Sequence, residues 1–236
     1  MSAVAETEAM SGRLVAVCGL AGGAGTTSLA ALLASQAASE AERPVLLADL
    51  GGPGATLATY IGQGSPRTLL GAAEALALGR LGGSLFATLG PRLRLLAGEP
   101  DFDCEGSEGL VELLAQAREV HELTVIDCGT LQRPAEREVL GLASHVLWLA
   151  TPEAVASGRA EAGLRAAAAL APQRGVLAIR GRAGRLRARA RPWAELAERF
   201  SLALAPLAEL PLPLRLCEHV PVEAVGSLRA IRIGLR

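Results

Sequence analysis

The chain has 236 residues, half of them apolar and one fifth charged, and a formal net charge of −1. This suits a single α/β domain with a large core. It excludes a global electrostatic pull toward nucleic acid or membrane, so any such attraction must come from a local patch. The sequence contains no lysine, so all 23 residues of the Lys and Arg sum are arginine.

Residues 1–12 carry Glu6 and Glu8 without a positive leader region, which predicts a flexible tail and not a secretory signal, ahead of one domain over 13–236. Residues 13–19 are a short apolar run of the kind that forms a buried parallel strand. A glycine-rich turn follows, formed by Leu20, Ala21, Gly22, Gly23, Ala24, Gly25, Thr26, Thr27 and Ser28, and then a helical period at Leu29, Leu32 and Leu33. Strand, glycine loop and helix in that order make a P-loop-like cradle. Gly22, Gly23 and Gly25 let the backbone turn tightly and bring its N–H groups close to an anion, and the helix starting with Thr27 and Ser28 presents its positive dipole end. The position of a phosphate-binding lysine holds Thr26, while Thr27 keeps the hydroxyl that a P-loop places on Mg²⁺. A strand-to-helix connection with no ligand is the other reading of this turn.

Residues 44–49 predict a second buried strand, ending in Asp49. Helices are expected over 55–61 and 68–78, a short strand over 93–97, a helix over 106–120 and a strand over 123–127 that finishes in Asp127. A helix over 134–143, a strand over 145–150, a long alanine-rich helix over 153–170, a strand over 175–180 and a helix over 192–200 complete the pattern. Strands alternating with helices predict a three-layer, doubly wound, mostly parallel α/β sheet. Ligands of such sheets bind outside the carboxyl ends of the strands, so Asp49, Asp127 and the glycine loop are expected to converge on one crevice. Capping of following helices, or bonds to loop amides, is the alternative role for both acids.

Cys18, Cys104, Cys128 and Cys217 are widely spaced without a C-x-x-C pair, and read as buried reduced thiols; His121, His145 and His219 are scattered, so no metal-binding cluster is expected among them. The longest uncharged stretch, residues 14–39, is broken by Gly, Thr, Ser and Gln and falls short of the roughly 18 apolar residues of a membrane span. A cytoplasmic protein is the expectation. Arg180, Arg182, Arg185, Arg187, Arg189 and Arg191 fall within twelve residues that hold no acid. This local positive patch suits DNA phosphates, an acidic protein surface or anionic lipid head groups, or is a solvated loop; without interleaved aromatics it does not indicate sequence-specific recognition. Residues 228–236 mix apolar and basic side chains, and read as a terminal strand or packed tail as well as a membrane-surface helix, for which the piece is short and broken by Gly234.

The glycine loop, the strand ending at Asp49, the strand ending at Asp127 and the stretch Leu149 to Glu153 occur in the order seen in the MinD/ParA family of deviant Walker ATPases, which this sequence resembles over most of residues 13–225. It looks most similar to the atypical branch with CpaE, TadZ and the actinobacterial septum-site regulators, whose members often lack the P-loop lysine. The resemblance implies a P-loop NTPase-like fold and ATP or ADP with Mg²⁺ held by residues 22–28 and by Thr27, Asp49 and Asp127. It further implies a homodimer, protein partners in a pilus, secretion or division machine, nonspecific DNA binding through the arginine segment, and a polar or inner-membrane-peripheral location. Three positions depart from the family: Ala21 stands where its signature lysine lies, Thr26 where the P-loop lysine lies, and Gly51 where an acid positions the attacking water. Loss of two lysines and an acid implies a scaffold with weak or absent ATP hydrolysis; an arginine supplied from elsewhere implies a working ATPase instead.

Overall fold

In the computed structural model the described residues are 12–50, 57, 68–79, 86–98, 108–170, 174–181, 190–208, 228 and 231. Their strands are β1 (Arg13–Gly19), β2 (Val45–Asp49), β3 (Ala87–Thr88), β4 (Leu93–Leu96), β5 (Leu123–Asp127), β6 (His145–Ala150), β7 (Gly175–Gly181) and β8 (Ala203–Ala208). They pair in the order β3-β4-β2-β5-β1-β6-β7-β8, and every pairing except β3 with β4 is parallel. The helices are α1 (Thr26–Glu40), α2 (Leu69–Ala77), α3 (Glu108–Val120), α4 (Pro134–Leu142), α5 (Pro152–Ala156), α6 (Arg159–Ala167) and α7 (Ala190–Arg199).

The short apolar runs become strands because both faces of the sheet are covered. Along β1, Leu14, Ala16 and Cys18 belong to one buried cluster, with residues of α2, α3, α4, α6 and α7. Val15 and Val17 belong to the other, with α1, Leu57, Leu228 and Ile231. A period of two on a doubly covered sheet therefore reads in sequence as an unbroken apolar run. Leu29, Leu32 and Leu33 carry α1 onto its face and are fully buried; truncating one of them to alanine costs about 2–5 kcal/mol. Leu228 and Ile231 are helical and fully buried, so these two residues of the C-terminal stretch pack into the core and are not part of a strand or a membrane-facing surface.

Several boundaries differ from expectation for local reasons. Gly12, expected in the tail, is buried and donates its N–H to the Arg118 carbonyl at 2.6 Å. The helix expected over 153–170 is two helices, because Gly158 adopts φ 74° and its left-handed backbone ends α5 and starts α6. Strand β8 has no sequence expectation: Ala203, Ala205 and Ala208 are weak strand formers, and Pro206 lacks an N–H. Among the described residues its only partner strand is β7, at the sheet edge, where a proline is tolerated. The helix expected over 55–61 (apart from the helical, buried Leu57), and Cys104, Cys217 and His219 lie outside the described residues.

The chain runs outward from β1 in both directions: β5 lies on one side of it and β6 on the other. This reversal places a crevice at the carboxyl end of β1, where the glycine loop begins.

Candidate functional site

The loop is fixed at its start and open beyond. Gly19 donates to the Gly129 carbonyl at 2.7 Å and Leu20 to the Leu149 carbonyl at 2.8 Å, which ties the end of β1 to the loops after β5 and β6. From Gly22 onward the pattern changes. Among the described residues, the backbone N–H groups of Gly22, Gly23, Gly25, Thr26, Thr27 and Ser28 have no acceptor; within this stretch only Ala24 donates, to Ala21 at 3.4 Å. Gly25 is the N-cap of α1 at φ 96° and supplies no side chain, and the first turn of α1 has no acid. A helix start normally satisfies its orphan donors with a Ser, Thr, Asp or Asn cap or an acidic first turn. Here those donors, without acceptors among the described residues, lie at the positive end of α1, which is the arrangement that holds a phosphate or carboxylate.

The two strand-end acids stand beside this cradle. Asp49 and Asp127 are register partners on β2 and β5 and are both buried. Asp127 Oδ2 accepts from the Thr27 hydroxyl at 2.5 Å and its Oδ1 from the Gly129 N–H at 3.2 Å. Asp49 Oδ2 accepts from the Leu57 N–H at 2.7 Å. Asp127 thus also bonds a loop amide and Asp49 the amide of the helical Leu57, and one carboxylate oxygen of Asp127 is turned onto the first residues of α1. Burial, reinforced by the Asp49 carboxylate, raises Asp127 from 3.8 to about 6, with the Thr27 and Gly129 bonds opposing. Two buried carboxylates side by side with a hydroxyl are a hard-oxygen set that disfavours its own full ionisation and suits a divalent cation. Among the described residues no group of three His, Cys, Asp or Glu could cage a metal. The set therefore suits Mg²⁺, which takes one or two protein oxygens together with phosphate oxygens and water, better than a metal bound by protein alone.

Arginines hold the loops around these acids. Arg133 donates Nε to Glu136 Oε1 at 2.8 Å, and its Nη2 is bonded to the Leu50 carbonyl, so the loop after β5 is tied to the end of β2. Glu136, buried, accepts the Arg133 N–H in return at 3.2 Å and starts α4. Nothing in the sequence pattern singled out this pair. Arg180, read in sequence as one end of a basic patch, does not point away from the fold as a surface residue. From the carboxyl end of β7 its Nη1 donates to the Ala24 carbonyl at 2.8 Å. A Cβ at Gly25 would collide with Nη1 and meet Cζ at 3.2 Å, so the guanidinium passes over the Gly25 backbone. Arg191, at the other end of the patch, lies on α7 and pairs with Glu195 at 2.9 Å, exposed. Arg182, Arg185, Arg187 and Arg189 lie outside the described residues.

No protein-family model matches the sequence, and no curated protein matches it. Solved structures match its fold. The ParA family ATPase from Chlorobium tepidum aligns with a TM-score of 0.70 at 19% identity, covering 94% of this chain and 91% of that one. The cell division ATPase MinD from Pyrococcus furiosus aligns with a TM-score of 0.71 at 19% identity, covering 95% and 100%. The fold is that of the MinD/ParA ATPases. It is also that of cobyrinic acid a,c-diamide synthase from Mycobacterium smegmatis, solved with an ATP analogue and magnesium, at TM-score 0.65, 20% identity and 93% and 92% coverage. One fold thus serves different proteins, and function has to be argued from the site.

On this MinD/ParA fold, the two positions where the family resemblance expects lysine hold Ala21, at the rim of a crevice, and Thr26, whose methyl packs close to Gly19. The crevice, about 570 Å³, is lined by the start of the glycine loop, by residues 130–132 after β5, and by α4 and α6, which contribute Arg137 and Arg159. Gly51 lies outside the described residues.

Proposed function

We propose that this chain is a nucleotide-binding scaffold of the MinD/ParA type, which takes ATP or ADP with Mg²⁺ and turns over slowly or not at all. One observation carries the reading: among the described residues, six backbone donors of the loop and of the α1 start lack acceptors, beside the Thr27 hydroxyl and the paired Asp49 and Asp127, with no lysine in the sequence to complete the site. The donors suit the phosphates; Thr27 with Asp127 and Asp49 suits Mg²⁺, directly or through water. Mg²⁺, when bound, would neutralise phosphate charge. Thr27, Asp127 and Asp49 would orient it, and the loop amides would hold the phosphate oxygens. Phosphoryl transfer depends almost wholly on positioning and on stabilising developing charge, and one supplied arginine is worth on the order of 10³ to 10⁵ in rate. Alanine at position 21 and threonine at position 26 supply none of that charge. Such a protein signals by its bound state and not by turnover. That supports a role in spatial organisation, as a homodimer with protein partners of a pilus, secretion or division machine, in line with the CpaE/TadZ-like sequence pattern. The MinD of Aquifex aeolicus, solved in complex with MinC, shares the fold and supports a protein partner.

A second reading, a working ATPase with an arginine in place of a lysine, is favoured by the contact of Arg180 with the loop. The test that separates the two is equilibrium dialysis of the full chain with labelled ATP and Mg²⁺, followed by phosphate release. Saturable binding without successive turnovers supports the scaffold; sustained turnover supports the ATPase; no binding overturns both.

A further inference from the structure

Resting on the nucleotide-binding reading above, we propose that Arg180 is the cation of the glycine loop and acts from behind it, through the Ala24–Gly25 peptide group. The chain has no cis peptide bond among its described residues, and a trans peptide is planar with its C=O and N–H pointing to opposite sides. Arg180 Nη1 holds the Ala24 carbonyl. The Gly25 N–H of the same unit therefore points away from the guanidinium, and it is one of the donors with no acceptor. A charged donor on a carbonyl polarises the whole peptide unit and strengthens the donor on its far side. Arg180 thereby adds a full positive charge to the cradle without occupying the space of the anion.

Three observations converge on this role. The guanidinium has five N–H donors, of which one is used among the described residues, and no ion pair of Arg180 with an acid occurs among them, so its charge is not cancelled locally. Gly25 is needed twice: for its left-handed φ of 96°, and because a Cβ would strike Nη1. Arg180 also comes from the end of β7, two strands from β1, so the rigid sheet sets its reach. A lysine within the loop would touch the phosphates and follow charge as it develops during transfer. A guanidinium on the far side of a peptide plane strengthens holding of the anion and contributes little to its transfer, so in this role Arg180 does not stand in for the lysine that the working-ATPase reading needs.

The test uses the full chain and its Arg180→Lys, Arg180→Gln and Arg180→Met variants, with binding of labelled MgATP measured by equilibrium dialysis at low and moderate salt and thermal melts as the control for folding. Gln, like Met, is too short to reach the Ala24 carbonyl from the end of β7, so a role limited to bracing the loop weakens both variants alike at low and moderate salt and leaves the salt dependence at the wild-type level. A role through charge predicts about a tenfold weaker binding and a flatter salt dependence for Gln and Met, with Lys retaining most of the affinity. Wild-type affinity, or wild-type salt dependence, in a folded Arg180→Gln overturns the assignment of Arg180 alone. Failure of the wild type itself to bind MgATP overturns the nucleotide reading on which it rests. Should the Met variant fail to fold, the comparison of Lys with Gln decides the matter.

Discussion

Replacing Asp127 with asparagine should make the free protein more stable while weakening its Mg²⁺-dependent binding of nucleotide. Asp127 is 3% exposed, lies beside Asp49 in the strand register, and titrates at about 6 in the fold against 3.8. A carboxyl raised in this way favours the folded state most below pH 3.8, and the advantage is lost as pH rises to about 6. Above that the ionised group costs the fold about 3 kcal/mol. Asparagine removes the charge, keeps an amide oxygen for the Gly129 N–H and disturbs the 2.5 Å Thr27 bond, a loss of about 1 kcal/mol. The net gain is therefore about 2 kcal/mol at pH 7.5. Urea unfolding of the wild type and Asp127→Asn at pH 3.5, 5 and 7.5 should show the gain growing between pH 4 and 6 and then levelling. A variant equally or less stable than wild type at pH 7.5, or a gain that does not change with pH, refutes the account of Asp127 as a strained carboxylate awaiting a cation. With Mg²⁺ and ATP added, the wild type should gain more stability than the variant, which keeps only the Asp49 carboxylate for the cation.

The same carboxyl predicts that Mg²⁺-dependent nucleotide affinity, measured by dialysis, falls as pH drops through about 6, because a proton then competes with the cation at Asp127; an affinity flat from pH 5 to 7.5 contradicts it. Gly25→Ala should destabilise the chain by about 1–2 kcal/mol, since an L-residue is strained at φ 96°, and should also weaken MgATP binding by displacing Arg180; a melt and a binding curve like those of wild type would show that the loop tolerates a Cβ. His121 is fully buried, donates Nδ1–H to the Ala117 carbonyl at 2.8 Å, and has no partner for Nε2 among the described residues. Burial, with Arg94 and Arg43 adding to it and the Ala117 bond opposing, holds its pKa below 6.5. The neutral form therefore supports the fold in full above pH 6.5, and stability falls as pH drops below that value; His121→Leu should flatten this slope in urea titrations, with His145, lowered for the same leading reason, left to account for the remainder.

What could be read in the sequence and what could not follows from how far apart the interacting residues lie. Strand β1 was legible because burial on both faces writes itself as an uninterrupted run, and the glycine loop because three glycines between a strand and a helix leave few other conformations. The acids at the ends of β2 and β5 were legible as strand ends expected to converge on one crevice, and the parallel pairing makes them direct register partners. The bond between Thr27 and Asp127 joins residues 100 positions apart, and no local pattern encodes it. Arg180 was legible only as one member of an arginine-rich run for the same reason: its bond to the Ala24 carbonyl joins residues 156 positions apart. Local chemistry hid two features. A single glycine within an alanine-rich segment gave no warning that Gly158 divides α5 from α6. The alanines and Pro206 of β8 also gave no strand signal, because an edge strand on a parallel sheet is specified by its neighbour and not by its own propensity.

The central claim is that the backbone donors of residues 22–28 hold a phosphate without a lysine. The most direct measurement is of the amide proton resonances of Gly22, Gly23, Gly25, Thr26, Thr27 and Ser28 in labelled protein as Mg²⁺ and ATP are added. The account predicts saturable downfield shifts concentrated on these amides, with Gly25 among the largest. Amides that stay unmoved, or shifts confined to the crevice beside Arg137 and Arg159, would contradict it.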